Sequence, residues 1–292
     1  MLAKASVIIP TFADWPSLAE CLSCLQGQSV SSDRFEIVIG NNNPEPALPE
    51  GFVLPPNCQV VWQPRPGSYA ARNAAVAQAC GEVLFFTDSD CRPQPDWIAR
   101  GLALLEQRPE TDRIGGYIRL YPRGEGWTLP ELYDKIFGLR QDRHTARGYA
   151  ATANLIVRHA LFRQVGPFEE TLYSSGDKEW NQRATAQGSK IFYGADVIVA
   201  HPARASFAAL RKKRLRILGG RFQLRRARGK PIRPTLPKYL FPSVSVLTRL
   251  LREPGLSAMQ VVRLWALDYR LRLAEFRELL ALLRAGGSAR RA

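Results

Sequence analysis

Residues 5–107 alternate between short apolar runs and helix-like segments, and that alternation limits the folds open to the chain. The runs are ASVIIPT (5–11), FEIVIG (35–40), VVW (60–62) and EVLFFT (82–87). They lack the strict in–out alternation of a sheet with one wet face, so each reads as a strand buried on both sides. Between and behind them lie DWPSLAECLSCLQG, SYAARNAAVAQACG and PDWIARGLALLEQ. In the first of these, Asp14 stands at the N-cap position, Pro16 in the first turn, and Leu18, Leu22 and Leu25 on one face. Gly81 is expected to close the second. Strand–helix repetition of this kind builds an α/β fold, a mostly parallel sheet with helices on both faces.

With 292 residues, 46% of them hydrophobic, the chain can bury one large core and carry an appendage. No uncharged apolar run approaches the roughly 20 residues that span a bilayer. The opening MLAKASVIIPTF reads as a buried strand rather than a signal peptide, which makes the cytoplasm the expected compartment. The five cysteines, odd in number and scattered, do not form a disulfide framework. Cys21 and Cys24 form a C-x-x-C in mid-helix, where packing is the expected role.

Charge divides the chain. Residues 203–292 hold 22 Lys/Arg against 4 Asp/Glu, a net of +18, whereas residues 1–202 hold 19 against 22, a net of −3. The expected organisation is a nearly neutral globular domain, 1–202, followed by a basic helical extension, 203–292.

The fourth run ends abruptly in Asp88-Ser89-Asp90. In a parallel sheet, ligands bind beyond the carboxyl ends of the strands. Residues two apart on an extended chain point the same way, so both carboxylates can converge on one cation. Two acids held together repel unless something positive lies between them. Mg²⁺ or Mn²⁺ with a substrate diphosphate would satisfy that requirement; an Asp/Ser-rich turn leading into the helix at Asp96 is the plainer alternative.

Four segments taken in order resemble the inverting family 2 glycosyltransferases of GT-A fold: SVIIPTF, PGSYAARNAAVAQACGEVLFFTDSDC, YAATANLIVRHALFRQVGPFEE and SSGDKEWNQRA. The resemblance runs from Ser6 to about His201. It implies a nucleotide-sugar donor bound by the first half, near Pro10, Thr11, Asn41, Arg72 and Asp88. It also implies a Mg²⁺ or Mn²⁺ ion at Asp90, with His201 as a further ligand, and Asp177 and Glu179 as catalytic acids with Asp177 the general base. Two departures stand out. Gly176 replaces the acid that usually precedes the base, and Asn41, in VIGNNNPEP, replaces the Asp that usually meets the nucleotide base. Gly67 is expected to turn the backbone into the helix bearing Arg72 and Asn73.

The resemblance implies transfer of a sugar to an acceptor hydroxyl, on a glycan or lipid-linked acceptor, in cell-surface polysaccharide or glycan biosynthesis. Two other readings stand beside it: a metal-dependent nucleotidyltransferase, which would use the same metal–diphosphate site, and a non-catalytic basic module that binds membrane or nucleic acid and makes no use of Asp90. In the extension, 211–230 holds ten basic residues and no acid, with Gly219-Gly220 as a hinge or a break between two helical pieces. PIRPTLPKYLFP (231–242) reads as a linker. Residues 256–285 have a helical pattern, with Val262, Trp265, Tyr269, Leu273, Phe276, Leu280 and Leu283 as an apolar stripe. Arg263, Arg270, Arg277 and Arg284 recur beside it. That pattern suits a peripheral helix on an anionic membrane, at the inner face of the cell membrane. Nucleic acid is the weaker partner, for no recognised binding motif is present.

Overall fold

The computed structural model describes residues 5–227, 229, 239 and 241–284. The expected alternation is present as β1 (Ala5–Thr11), α1 (Trp15–Gln26), β2 (Phe35–Asn41), β3 (Cys58–Trp62), α2 (Ser68–Gln78), β4 (Val83–Phe86), β5 (Arg92–Pro93) and α3 (Trp97–Gln107). There follow β6 (Arg113–Tyr121), α4 (Leu129–Phe137), α5 (Gln141–Thr145), β7 (Leu155–Arg158), α6 (His159–Val165), α7 (Gly176–Ala186) and β8 (Ile191–Pro202). Helices α8 (Phe207–Ala227), α9 (Val244–Leu251) and α10 (Ala258–Arg284) come last. Leu18, Leu22 and Leu25 are buried as expected, but Asp14 makes no side-chain cap bond, and α2 ends three residues before Gly81.

The strands form one eight-stranded sheet in the order β3-β2-β1-β4-β7-β6-β8-β5. β1 pairs in parallel with β2 and β4, and β2 with β3. β7 runs antiparallel to β4 and β6, and β5 antiparallel to β8. Pro10 lies opposite Gly40 and Thr11 opposite Asn41, so the carboxyl ends of the parallel strands share one edge. The strand order reverses between β1 and β4, the place where open α/β sheets leave a crevice. Gly40 is required there: a Cβ would lie 2.3 Å from the Ala71 carbonyl oxygen. Only glycine lets α2 close on β2, which brings Arg72 to the strand ends.

The chain folds into two compact units. The first takes residues up to Arg119, Leu139–Thr171 and Gly176–His201; the second takes Leu120–Gly138, Leu172–Ser175 and the chain from Pro202 on. The second unit therefore recruits α4 from within the first 202 residues. Tyr133 and Ile136 of α4 join Leu210, Leu250, Val261, Leu264, Leu267 and Leu271 in its core. Two of its acids, Asp134 and Asp268, are held inside by cations. Asp134 accepts from Arg204 Nη1 and Lys213 Nζ, both at 3.0 Å. Burial pushes the Asp134 carboxyl up, but Lys213 and Arg204 outweigh it and hold the group below the usual carboxylate range. Asp268 accepts from the Tyr133 hydroxyl at 2.6 Å, Arg272 Nε at 2.6 Å and Arg214 Nη1 at 3.2 Å.

Two expectations for this part change. Gly219 and Gly220 are neither hinge nor break, for α8 is continuous from Phe207 to Ala227. A Cβ at Gly220 would lie 2.3 Å from the Ser174 carbonyl oxygen, so close approach, not flexibility, calls for glycine. The last helix buries Val261, Leu264, Leu267, Leu271, Leu279 and Leu282 rather than the expected stripe. The stripe flanks that face: Val262 and Leu283 are exposed, and half-buried Trp265 donates its Nε1–H to the Ser243 carbonyl at 2.9 Å. The helix is apolar over a wide arc, and packing against α4, α8 and α9 selects which column faces inward. The linker assigned to 231–242 lies outside the described residues except at Tyr239, Phe241 and Pro242. Among the described residues no helix is long and apolar enough to cross a membrane.

Candidate functional site

Beyond the carboxyl end of β4, the chain turns through Asp88, Ser89 and Asp90, all half-buried. Asp88 Oδ1 is bound by Arg72 Nη2. The arginine is 4% exposed and also donates from Nη1 to the Ser68 carbonyl at 3.4 Å. Arg72 is thus no surface residue but the anchor of the acidic turn. Among the described residues, its Nε and the hydroxyl of Thr11 at the end of β1, both buried, have no hydrogen-bond partner. Donors left so at a strand-end crevice are available to a ligand.

His201, near the end of β8, comes within 3.6 Å of Asp90 through its Nε2. Ligand atoms of Asp88, Asp90, Cys91 and His201 all lie within 4.8 Å of one another. Two carboxylates and an imidazole suit a hard or borderline divalent cation that completes its shell with phosphate oxygens. Cys91 fits less well. It is a soft ligand, fully buried, and burial pushes its thiol well up, with Asp88 and Asp90 adding to the effect. The cluster can therefore hold a divalent metal through Asp88, Asp90 and His201.

Asp177 stands at the start of α7, just after Ser175, a non-glycine residue with φ +66°. Its Oδ1 accepts the Lys178 N–H at 2.8 Å and the Tyr69 hydroxyl at 3.4 Å. Burial raises its carboxyl above the ordinary range; the Lys178 N–H and Arg72 pull the other way, and Asp88 adds a further push upward. Tyr69 is a residue that sequence reasoning missed. It lies one turn before Arg72 on α2, and its ring packs against Phe168. It also explains the departure at Gly176: a Cβ there would lie 2.7 Å from Tyr69 Cε2. The ring occupies the space that an acidic side chain would need.

Two expected site residues are turned to other tasks. Glu179 does not share a face with Asp177, because positions two apart on a helix point about 200° away from each other. It accepts from Arg183 Nε at 2.9 Å, and Arg183 in turn donates to the carbonyls of Val165 and Pro167 at 2.6 Å. This clamp fixes α7 against the loop after α6. Asn41 is fully buried. Its Oδ1 accepts from Asn43 N at 3.0 Å and Asn43 Nδ2 at 2.7 Å, while its Nδ2 donates to Pro46 O at 3.2 Å. An amide engaged on both sides shapes the 41–46 loop and leaves no free edge for a nucleotide base. Pro10 is buried in β1. Asn73 holds the GPFEE segment, exchanging hydrogen bonds with the Phe168 backbone at 2.9 Å each way. Gly67 has φ +140° at the entry to α2, as the turn requires.

The family model for glycosyl transferase family 2 matches residues 6–166. Glycosyltransferase AglE of Haloferax volcanii is 33% identical over 230 residues, 76% of this chain and 74% of that protein. O-antigen biosynthesis protein RfbC of Myxococcus xanthus is 31% identical over 229 residues, 70% of this chain but 18% of its own length. The mannosyltransferase PcManGT of Pyrobaculum calidifontis, solved with GDP-Man and Mn²⁺, superposes with a TM-score of 0.56 at 17% identity, covering 99% of this chain and 77% of that one. A fragment of S. aureus TarS in complex with UDP-GlcNAc gives 0.55 at 17% identity, covering 98% and 93%. At such identities the solved structures share the fold.

Proposed function

The chain belongs to glycosyl transferase family 2, and we propose that it transfers a sugar from a nucleotide-sugar donor to an acceptor hydroxyl with inversion at the anomeric carbon. The observation that carries this is the gathering of Asp88, Asp90, His201, Arg72 and Asp177 beyond the carboxyl ends of β1 and β4. PcManGT and TarS, of the same fold, are solved with GDP-Man and UDP-GlcNAc respectively, which supports a nucleotide-sugar donor here.

Asp90 and His201, with Asp88, would hold Mg²⁺ or Mn²⁺. When bound, the cation supplies charge that neutralises the donor's diphosphate. Arg72 orients Asp88 and contributes a second positive charge beside the phosphates. The Thr11 hydroxyl, without a partner among the described residues, hydrogen-bonds the donor. Asp177 takes the proton of the acceptor hydroxyl as that oxygen attacks the anomeric carbon. Its raised carboxyl makes it a better base than an ordinary aspartate, and Tyr69 holds its Oδ1 in place. Glu179, through Arg183, keeps α7 in position.

The catalytic work belongs to the first unit and attachment to the second. The +18 of residues 203–292 supports an anionic membrane surface as partner, at the inner face of the cell membrane, where glycan or lipid-linked acceptors of surface polysaccharides are found. A screen of nucleotide sugars with Mn²⁺ or Mg²⁺ tests the reaction. Release of nucleoside diphosphate from one donor is expected. Formation of nucleoside triphosphate and sugar 1-phosphate from a donor and added pyrophosphate would make the protein a nucleotidyltransferase, and indifference of every donor to the metal would overturn the proposal.

A further inference from the structure

A groove of about 480 Å³ in the second unit is lined by Phe207 and Arg211 of α8 and by Arg270, Leu273, Ala274, Arg277 and Glu278 of α10. Three guanidinium groups face it with one carboxylate. Among the described residues, no acid lies within ion-pair distance of Arg211, Arg270 or Arg277, although the same unit pairs Arg204, Lys213, Arg214 and Arg272 with acids. Arg270 is held instead by its stack on the Phe207 ring, 4.6 Å from the centroid. A guanidinium seated over a ring keeps its N–H donors available for an acceptor. The lining is otherwise apolar, from Leu273, Ala274 and the Phe207 ring.

We propose that this α8–α10 groove binds the phosphate headgroup of an anionic phospholipid in a bilayer. Convergent arginines match the chemistry of a phosphate diester, and the apolar lining matches the first carbons of its glycerol and acyl chains. A free phosphate would account for the arginines alone. The lipid is favoured by the surface of the same unit: Phe241, Val244, Leu251, Met259 and Val262, in and beside α9 and the start of α10, are 58–70% exposed. Large apolar side chains gathered in one short stretch, in a unit this basic, fit a bilayer surface better than water. The inference rests on the membrane-facing role proposed for the second unit, and it replaces Trp265 and Phe276 as the expected contacts.

The test is co-sedimentation of the full chain with phosphatidylcholine vesicles, with and without phosphatidylglycerol. The wild type should bind only the acidic vesicles. Ala274→Trp fills the groove without changing net charge and should weaken that binding by about tenfold. Arg211→Gln/Arg277→Gln should weaken it by at least tenfold more than Arg216→Gln/Arg263→Gln, which removes the same charge from exposed positions outside the groove. Circular dichroism melts exclude misfolded variants. If the wild type ignores both kinds of vesicle, the membrane role itself fails. If it binds acidic vesicles but Ala274→Trp is indistinguishable from wild type and the two double variants lose equally, attraction is diffuse and the groove assignment is wrong. Full competition by soluble glycerol phosphate, or by a single-stranded oligonucleotide, at concentrations matching the lipid would assign the groove to a free phosphate or to nucleic acid and overturn the lipid.

Discussion

Asp177→Asn separates the chemistry of the site from its architecture. Asp177 Oδ1 accepts from the Lys178 N–H at 2.8 Å and the Tyr69 hydroxyl at 3.4 Å, and an asparagine carbonyl oxygen can accept both. The variant should fold as the wild type does. Its effect on stability follows from linkage. Burial, opposed by the Lys178 N–H and Arg72, leaves the folded carboxyl above its unfolded value. The contribution of a group raised in this way is fully present below the unfolded value, near pH 4, and is lost as pH rises through the folded value. At neutral pH the ionised Asp177 is therefore a cost, and Asp177→Asn should leave Tm unchanged or slightly raised. Catalysis should respond differently, since the amide cannot take the acceptor's proton. Loss of a general base lowers turnover by about 10²–10⁴, or about 2.7–5.4 kcal/mol at 1.36 kcal/mol per decade. Donor affinity should change little. In the wild type, activity should fall on the acid side at a pH above that of an ordinary aspartate, and the variant's residual activity should lack that limb. Nucleoside diphosphate release at saturating donor gives kcat, and calorimetry gives donor affinity. Wild-type turnover in Asp177→Asn, or a loss in Glu179→Gln that Asp177→Asn does not share, would refute the assignment.

Two further outcomes follow from the same geometry. Asp90→Ala should abolish Mn²⁺-dependent nucleotide binding in calorimetry while leaving the melting curve in place, because Asp90 is only half-buried and lies in a turn beyond β4 rather than in the core; binding that persists with Mn²⁺ present would remove Asp90 from the metal set. Gly176→Asp, which restores the usual acid before the base, should destabilise the protein by about 1–3 kcal/mol through collision with the Tyr69 ring, and Tyr69→Ala should relieve it. Urea unfolding decides this, and a single variant as stable as the wild type would show that the ring does not close that space.

Much of the first unit is legible in local pattern. Buried strands without alternation, separated by helical segments, predict a mostly parallel sheet, because each run needs cover on both faces; the order β3-β2-β1-β4 of its parallel block is seen only in the structure. Asp88 and Asp90 could be placed at the ligand edge because they follow an apolar run in such a sheet. The Gly176 and Asn41 departures could be seen in the sequence but not explained there. Their reasons are the Tyr69 ring and the 41–46 loop, and each is a contact that exists only after folding.

By itself, then, the sequence determined the element types, the acidic turn at the end of a buried strand, the acids of α7 and the charge division between the two parts of the chain. These are local properties, set by side-chain periodicity and composition over a few residues. Only the tertiary structure decided which groups meet. Tyr69 and Asp177 are 108 positions apart, and Arg72 reaches Asp88 because Gly40 lets α2 close on β2. Only folding turned Glu179 toward Arg183, buried Gly220 against Ser174, and selected the column of Leu264, Leu267 and Leu271 over that of Val262 and Trp265. The physical reason is common to all of them. Periodicity states that a face is apolar or that an acid is present, whereas the partner is chosen by close packing between segments distant in sequence, which local pattern does not encode.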